Sequence, residues 1–204
     1  MKDLPITPIG EKIFVKPEKI RETIEETKSG ILINTEWRKY DSDIINQKAT
    51  VLQVQKKLGE KFGLKKGDQV YCHHFLQEED SIRDFEGLKY SELDIFHIIA
   101  KLENGKLKAV GTWNIVKEVE EPEENYKKNG IYLKPDIEVL QGIGELFCPS
   151  KLSEFSGAKT GDQVYFKKKH NYKIEIEGEQ YLALRDVSVL CFKPKNNETE
   201  DKKE

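Results

Sequence analysis

The stretch KKGDQVYCHHF (residues 65–75) recurs in outline as KTGDQVYFKKK (159–169). Both copies contain Gly-Asp-Gln-Val-Tyr, at 67–71 and again at 161–165. In each copy a Gly-Asp turn signal precedes a run of β-branched and aromatic residues, which is typical of a strand that follows a tight turn. An identity of this length can arise by chance, so the flanking sequence decides whether it marks a repeat.

Three further blocks recur in the same order. GEKIFVKPE (10–18) matches GTWNIVKEV (111–119), SGILIN (29–34) matches NGIYLK (129–134), and EGLKYSELDIFHI (86–98) matches EGEQYLALRDVSVL (177–190). The separation between matched blocks drifts slowly along the chain, as loop insertions would produce. The sequence therefore predicts a tandem duplication.

The duplication predicts a first domain over residues 1–101 and a second over 102–194. KLENGKLKA (101–109) forms the joint, and its Asn-Gly pair is a tight-turn signal. A tail over 195–204 has no apolar residue and is expected to be disordered.

Both halves are expected to consist of short strands. The strand candidates are KIFVK (12–16), ATVLQVQ (49–55) and DQVYC (68–72), then ELFCP (145–149), DQVYF (162–166) and SVLCF (188–192). YKIEIEG (172–178) alternates apolar and charged residues, the pattern of a half-buried strand. Helical periodicity is weak throughout, so we predict an all-β chain of two tandem small β-barrels.

Composition narrows the function classes. The chain has 204 residues, of which 35% are charged and 37% hydrophobic, with a formal net charge of −3. These values suit two small domains better than one large core. Lysine is mixed with glutamate, so no nucleic-acid partner is predicted. No apolar run approaches the roughly 20 residues of a membrane span, and the N-terminus lacks the apolar region of a signal peptide.

The cysteines indicate a reducing compartment. Cys72, Cys148 and Cys191 are odd in number and show no CxxC spacing, so we expect no disulfides and a cytoplasmic location, the host cytoplasm if the protein is viral. YCHHF (71–75) could supply metal ligands. Adjacent residues of a strand point to opposite faces, however, so a strand ending in polar residues is favoured over a metal site. We predict neither a metal nor another cofactor.

In this order, the blocks resemble the small GroES-type co-chaperonins, which cap chaperonin rings. Pro8–Lys16 resembles the opening strand of that family, and Thr27–Ile33 resembles its acidic, mobile Gly-Gly-Ile-Val-Leu stretch. The Gly-Asp turns match its Gly-Asp-x-Val strand, and Gly178–Arg185 resembles its closing strand. The first half of the chain matches that closing strand less fully. The resemblance covers residues 4–101 and 107–193, so the chain resembles the tandem form of the family.

The match departs from the family before each Gly-Asp turn. Single-domain members carry there a longer hairpin that roofs the dome. QVQKKLGEKFGLKKGD (53–68) and FCPSKLSEFSGAKTGD (147–162) are short for such a hairpin. We therefore expect the roof to be reduced or open.

The resemblance implies a docking arm on each half. The implied chaperonin-binding residues are Gly30, Ile31, Leu32 and Ile33 in the first half, and Gly130, Ile131, Tyr132 and Leu133 in the second. The implied partners are the ATP-bound ring of a GroEL-type chaperonin and further copies of the chain in a homo-oligomeric ring. Each apolar run could instead be an ordinary barrel strand. Polar sequence on both sides of 31–33 favours an arm, whereas GIYLKPDIEVL (130–140) is equally consistent with a strand.

No enzyme signature accompanies these motifs. The chain contains no GxSxG and no P-loop, and GIGELF (142–147) lacks the third glycine of a dinucleotide site. We predict a non-enzymatic co-chaperonin that encloses folding substrate. The alternative is a binding or structural assembly module that keeps the GroES-like barrels without lid activity.

Overall fold

The structure is a computed structural model that describes residues 4–19, 24–26, 29, 32–34, 47–77, 79–119, 127–128, 131–132, 141–168 and 171–195. It divides into two compact units, Met1–Gly111 and Thr112–Glu204. Each unit is built on one antiparallel sheet, so the all-β prediction is confirmed. None of the described helices has the length and hydropathy needed to cross a membrane.

The first unit has one large sheet and one small one. Its elements are β1 (Lys12–Pro17), β2 (Ile24–Glu26), β3 (Leu32–Asn34), β4 (Lys48–Val54), α1 (Lys56–Phe62), β5 (Gln69–Cys72), β6 (Ile82–Phe85), β7 (Leu88–Asp94), β8 (Ile98–Glu103) and β9 (Lys106–Ala109). The large sheet has the strand order β6-β7-β1-β4-β5-β8-β9. The strands β2 and β3 pair as a separate two-stranded sheet.

The second unit repeats this arrangement. Its elements are β10 (Trp113–Glu118), β11 (Lys127–Lys128), β12 (Ile131–Tyr132), β13 (Gln141–Cys148), α2 (Lys151–Phe155), β14 (Gln163–Lys167), β15 (Tyr172–Ile176), β16 (Glu179–Arg185) and β17 (Val189–Lys193). The large sheet has the order β15-β16-β10-β13-β14-β17, and β11 pairs with β12 apart from it. Six strands of each unit therefore correspond one to one, from β6 and β15 at one edge through to β8 and β17, and the first unit adds β9 beyond β8.

The correspondence extends to single residues. The pairing of the first strand with its neighbour shifts register between Phe14 and Val15 in one unit and between Ile115 and Val116 in the other. Likewise, β5 shifts register against β8, and β14 against β17, after the tyrosine of the Gly-Asp-Gln-Val-Tyr repeat. These shared irregularities make position-by-position comparison of the two units possible.

The Asn104-Gly105 turn forms as predicted, but within the first unit. Both residues have positive φ, 53° and 73°, as a two-residue hairpin turn requires. The turn joins β8 to β9, and hydrogen bonds from Lys101 and Lys108 lower the pKa of Glu103 beside it to about 2. Because β9 pairs back onto β8, it belongs to the sheet of the first unit, which ends at Gly111.

The predicted alternation of YKIEIEG is confirmed in β15. Ile174 and Ile176 are buried, whereas Lys173 and Glu175 are exposed. The buried cluster of Val116, Leu146, Ala158, Val164, Phe166, Leu182 and Leu184 lies on the opposite face of the sheet, because Leu182 pairs with the exposed Lys173. At β15 only the face of Ile174 and Ile176 is buried. Burial of one sheet face accounts for the period of two.

The Gly-x-Gly fragment of GIGELF has a packing role in β13. A Cβ atom on Gly142 would lie 2.4 Å from the Phe166 ring, and one on Gly144 would lie 2.3 Å from Val116 Cγ1. Real Cβ atoms do not approach other heavy atoms so closely. The two glycines thus allow the buried Phe166 and Val116 to pack against the strand.

Short helices stand where we expected a reduced or open roof hairpin, and the weak helical periodicity did not reveal them. In α1, Leu58 and Phe62 lie one helical turn apart and pack into the core, and Gly63 ends the helix with a φ of 68°. In α2, the Ser150 side chain accepts a hydrogen bond from the Ser153 amide and caps the N-terminus. Neither helix is long enough for its apolar residues to produce a periodic pattern in the sequence.

Candidate functional site

Each predicted arm lies in an excursion, a segment of the chain that leaves a large sheet and then rejoins it. One excursion separates β1 from β4 and the other separates β10 from β13. Each is closed at its base by a backbone hydrogen bond, from Glu18 N to Lys48 O at 3.0 Å and from Val119 N to Ile143 O at 3.0 Å. Because β1–β4 and β10–β13 are neighbouring strand pairs, each excursion leaves and rejoins its sheet at nearly one point.

The first excursion contains the β2–β3 pair. Leu32 and Ile33 lie in β3, opposite Glu26 and Glu25 of β2. The predicted docking residues Gly30 and Ile31 lie outside the described residues. Within the described part of the chain, β2 and β3 pair with each other and with no strand of the large sheet.

The second excursion contains the β11–β12 pair at the corresponding place. Ile131 and Tyr132 form β12 and lie opposite Lys128 and Lys127 of β11. The predicted residues Gly130 and Leu133 are not among those the structure describes. Of the strands described in this unit, these two again form a sheet of their own.

The two pairs differ in charge. The apolar residues of the first pair are opposed in register by glutamates and those of the second by lysines. By sequence, the residues paired with the two apolar runs therefore carry opposite formal charge. Matching SGILIN with NGIYLK did not reveal this difference, because the strands opposite lie outside the matched blocks.

The YCHHF segment ends a strand. β5 stops at Cys72, whose thiol is fully buried, and burial raises the pKa of this thiol far above its ordinary value. His73 and His74 follow, with ring centroids 4.1 Å apart. Among the described residues, no group of three or more His, Cys, Asp or Glu side chains is arranged to hold a metal ion.

A buried polar cluster in the second unit was not predicted. The Asn114 amide donates to Asp186 Oδ1 at 2.8 Å, the Ser150 backbone N–H donates to Asn114 Oδ1 at 2.9 Å, and the Ser150 hydroxyl donates to the same Asp186 oxygen at 2.6 Å. The matched positions in the first unit are Ile13 and Ile95, both fully buried. The cluster fixes the start of α2, because the Ser150 hydroxyl also caps that helix.

No family model matches this chain, and a search of curated proteins finds no match.

Proposed function

We propose that the protein is a non-enzymatic co-chaperonin of the GroES type, in tandem form. One observation carries the proposal: Leu32-Ile33 and Ile131-Tyr132 lie at matching positions, in two-stranded pairs set apart from the large sheets. An apolar strand needed for the core would belong to the large sheet. A segment that serves a partner would be held outside it, as these are.

The shared topology supports descent from one duplicated barrel. Six strands occur in the same order in both units, and the register shifts fall at matched residues. In this account each sheet curls into a small GroES-like barrel. The helices α1 and α2 take the place of the longer roof hairpin, which leaves the dome with a reduced roof.

The energetics suit a lid that must leave. Burying two or three aliphatic side chains of one arm on a chaperonin contributes roughly 1.5–3 kcal/mol each. Ordering the arm offsets about 2–5 kcal/mol of this, so one arm binds weakly. Several arms on a homo-oligomeric ring add avidity of about 10²–10⁴ per linked site. The assembled ring therefore binds firmly while each arm can release.

In the proposed mechanism, the ring docks on the apical rim of the ATP-bound chaperonin and closes a chamber around folding substrate. The arms compete with substrate for the same apolar rim. No chemical step takes place on this chain.

Proteolysis tests the arms directly. Trypsin sites at Lys28 and Arg38 flank the first apolar run, and Lys127 and Lys128 precede the second. We expect cleavage at these sites to slow at least about tenfold when a GroEL-type chaperonin and ATP are added together, because docking orders and covers the arms.

The tail provides the matched control. Lys202 and Lys203 follow β17 in the sequence, far from both apolar runs, and their cleavage should not change on addition of chaperonin. Equal cleavage of the arms with and without the nucleotide-bound chaperonin would favour the alternative, an assembly module without lid activity.

A further inference from the structure

A groove lies beside α1 in the first unit. It has a volume of about 520 Å³ and is bounded by α1, by the loop that follows this helix and by the strand β8. Four lysines line it, namely Lys56 of α1, Lys65 and Lys66 of the loop, and Lys101 of β8. None of the described residues that line it is aromatic. We call it the lysine groove.

The lysine groove carries a net positive charge. Two carboxylates, those of Glu60 and Glu103, also line it. Glu103 pairs with Lys101 at 2.9 Å and with Lys108, which stands opposite Lys101 on β9. With Lys108 the groove and its rim hold five lysines and two glutamates, a net formal charge of +3 in a chain whose total is −3.

Lys101 is the least exposed of the four lysines. Its side chain is 13% exposed, and its ammonium group donates to Gly63 O at 2.8 Å and to Glu103 Oε1 at 2.9 Å. An ammonium group has three N–H donors, so these two bonds within the described structure leave one donor for a ligand. The bonds also hold the Lys101 charge in place before any ligand arrives.

The second unit has no lysine at the position that matches Lys101. The Gly-Asp-Gln-Val-Tyr repeat contains Val70 in one unit and Val164 in the other, and Val70 pairs with Lys101 whereas Val164 pairs with Phe192. Phe192 packs against a buried apolar cluster of its own unit. A position that serves apolar packing in one unit therefore holds a cation in the other.

The position of Lys66 differs in the same sense. In each unit the preceding residue is a lysine whose N–H donates to the aspartate of the Gly-Asp turn, so the two loops match residue by residue. The next residue is Lys66 in the first unit and Thr160 in the second. The loop therefore keeps its shape without this lysine, which indicates that the charge serves something other than the fold.

We propose that the lysine groove binds a compact oligophosphate, a compound with several linked phosphate groups, and recognises its phosphates but no base. A phosphate monoester carries a charge of about −1.5 to −2 at pH 7, so a net charge of +3 favours a ligand with more than one phosphate group. Without an aromatic side chain to stack on, a nucleotide base gains little there. The groove is separate from the apolar runs, so this inference goes beyond the proposed function and does not rest on it.

The kind of cation favours phosphate over carboxylate. All the cations that line the groove in the described structure are lysines. The planar fork of arginine matches a planar carboxylate, whereas lysine binds phosphate as a point charge and can approach the phosphate oxygens from several directions.

The contact is expected to be sensitive to salt. Lys56, Lys65 and Lys66 are exposed. The Debye length falls from about 10 Å at 0.1 M ionic strength to about 3 Å at 1 M, so salt screens charges at the surface. Oligophosphate binding should therefore weaken at least about tenfold between these two salt concentrations.

Isothermal titration calorimetry of the full chain with tripolyphosphate, in a low-salt buffer without phosphate, tests the ligand class. We expect one tripolyphosphate per chain, and at least about tenfold weaker binding of orthophosphate and of citrate. ATP should bind within about threefold of tripolyphosphate, because the groove offers no stacking partner for the base. ATP bound at least about tenfold more tightly than tripolyphosphate would assign the groove to nucleotides and contradict recognition of phosphates alone. Absence of tripolyphosphate binding, or equal binding of citrate, would overturn the proposal.

Two variants with the same loss of charge locate the binding. Lys56→Gln/Lys66→Thr removes two exposed lysines of the groove and should weaken tripolyphosphate binding at least about tenfold. Lys16→Gln/Lys89→Thr removes two exposed lysines of β1 and β7 that do not line the groove, and it should bind within about twofold of the wild type. Unchanged binding by the groove variant, or an equal loss in both variants, would show that the groove is not the site.

Amide chemical shifts provide a readout that does not depend on affinity. Tripolyphosphate should shift the amide signals of Gly59, Gly63 and Lys66, which line the groove. The signals of Gly157 and Ala158, which follow α2 in the second unit, should stay in place. Shifts of equal size at both sets of residues, or shifts only elsewhere in the chain, would contradict the assignment of the groove.

Discussion

Replacing Ile31 and Ile33 together by serine is expected to weaken capture by an ATP-bound GroEL-type chaperonin by at least about 100-fold. Each aliphatic side chain contributes roughly 1.5–3 kcal/mol when buried on the partner, and each 1.4 kcal/mol is a factor of about ten in affinity. The loss is repeated in every copy of the ring, so the avidity falls as well. The measurement is the dissociation constant of the chaperonin complex, with ring assembly confirmed by sedimentation.

Two further variants complete this experiment. Ile31→Val/Ile33→Val keeps most of the apolar surface and should bind within about tenfold of the wild type. Ile131→Ser/Leu133→Ser reports on the second arm, and a comparable loss would make each unit a docking unit. Full binding by the Ile31→Ser/Ile33→Ser variant would show that the first apolar run does not dock.

Asn114→Ala is expected to lower the free energy of unfolding of the second unit by about 2–4 kcal/mol. The substitution leaves the Ser150 amide and the Asp186 carboxylate with unmet hydrogen bonds, and it opens a cavity at a fully buried site. For a unit of this size the melting temperature should fall by roughly 10–20 °C. Fluorescence of the buried Trp113 during denaturant unfolding, with Trp37 replaced by phenylalanine, reports the change.

The first unit supplies the control for this cluster. Replacing Asn114 and Asp186 together by isoleucine reproduces the fully buried pair Ile13 and Ile95. This double variant should lose less stability than Asn114→Ile and Asp186→Ile combined, because the two hydrogen-bonded partners leave together. A loss below about 0.5 kcal/mol for Asn114→Ala would mean that the cluster contributes little to stability.

The sequence predicted most strands, because turn signals and the alternation of apolar and charged residues depend only on neighbouring residues. The Gly-Asp turns precede β5 and β14, and alternation identifies β15. Asn104-Gly105 predicted a turn, but the sequence did not show that β9 would pair back onto β8. Strand pairing depends on contacts between distant residues, which local composition does not encode.

Two features of the structure were not predicted from the sequence, for different reasons. The helices α1 and α2 span 7 and 5 residues, too few for a helical period to stand out. The cluster of Asn114, Ser150 and Asp186 joins three distant parts of the chain, and nothing near each residue signals it.

The most direct test of the proposed function is size-exclusion chromatography of the wild-type protein with a GroEL-type tetradecamer, with and without ATP. The account predicts co-elution with the chaperonin in ATP and separation from it without nucleotide. Absence of co-elution in ATP by a folded, oligomeric protein, with its cognate chaperonin, would contradict the assignment as a co-chaperonin.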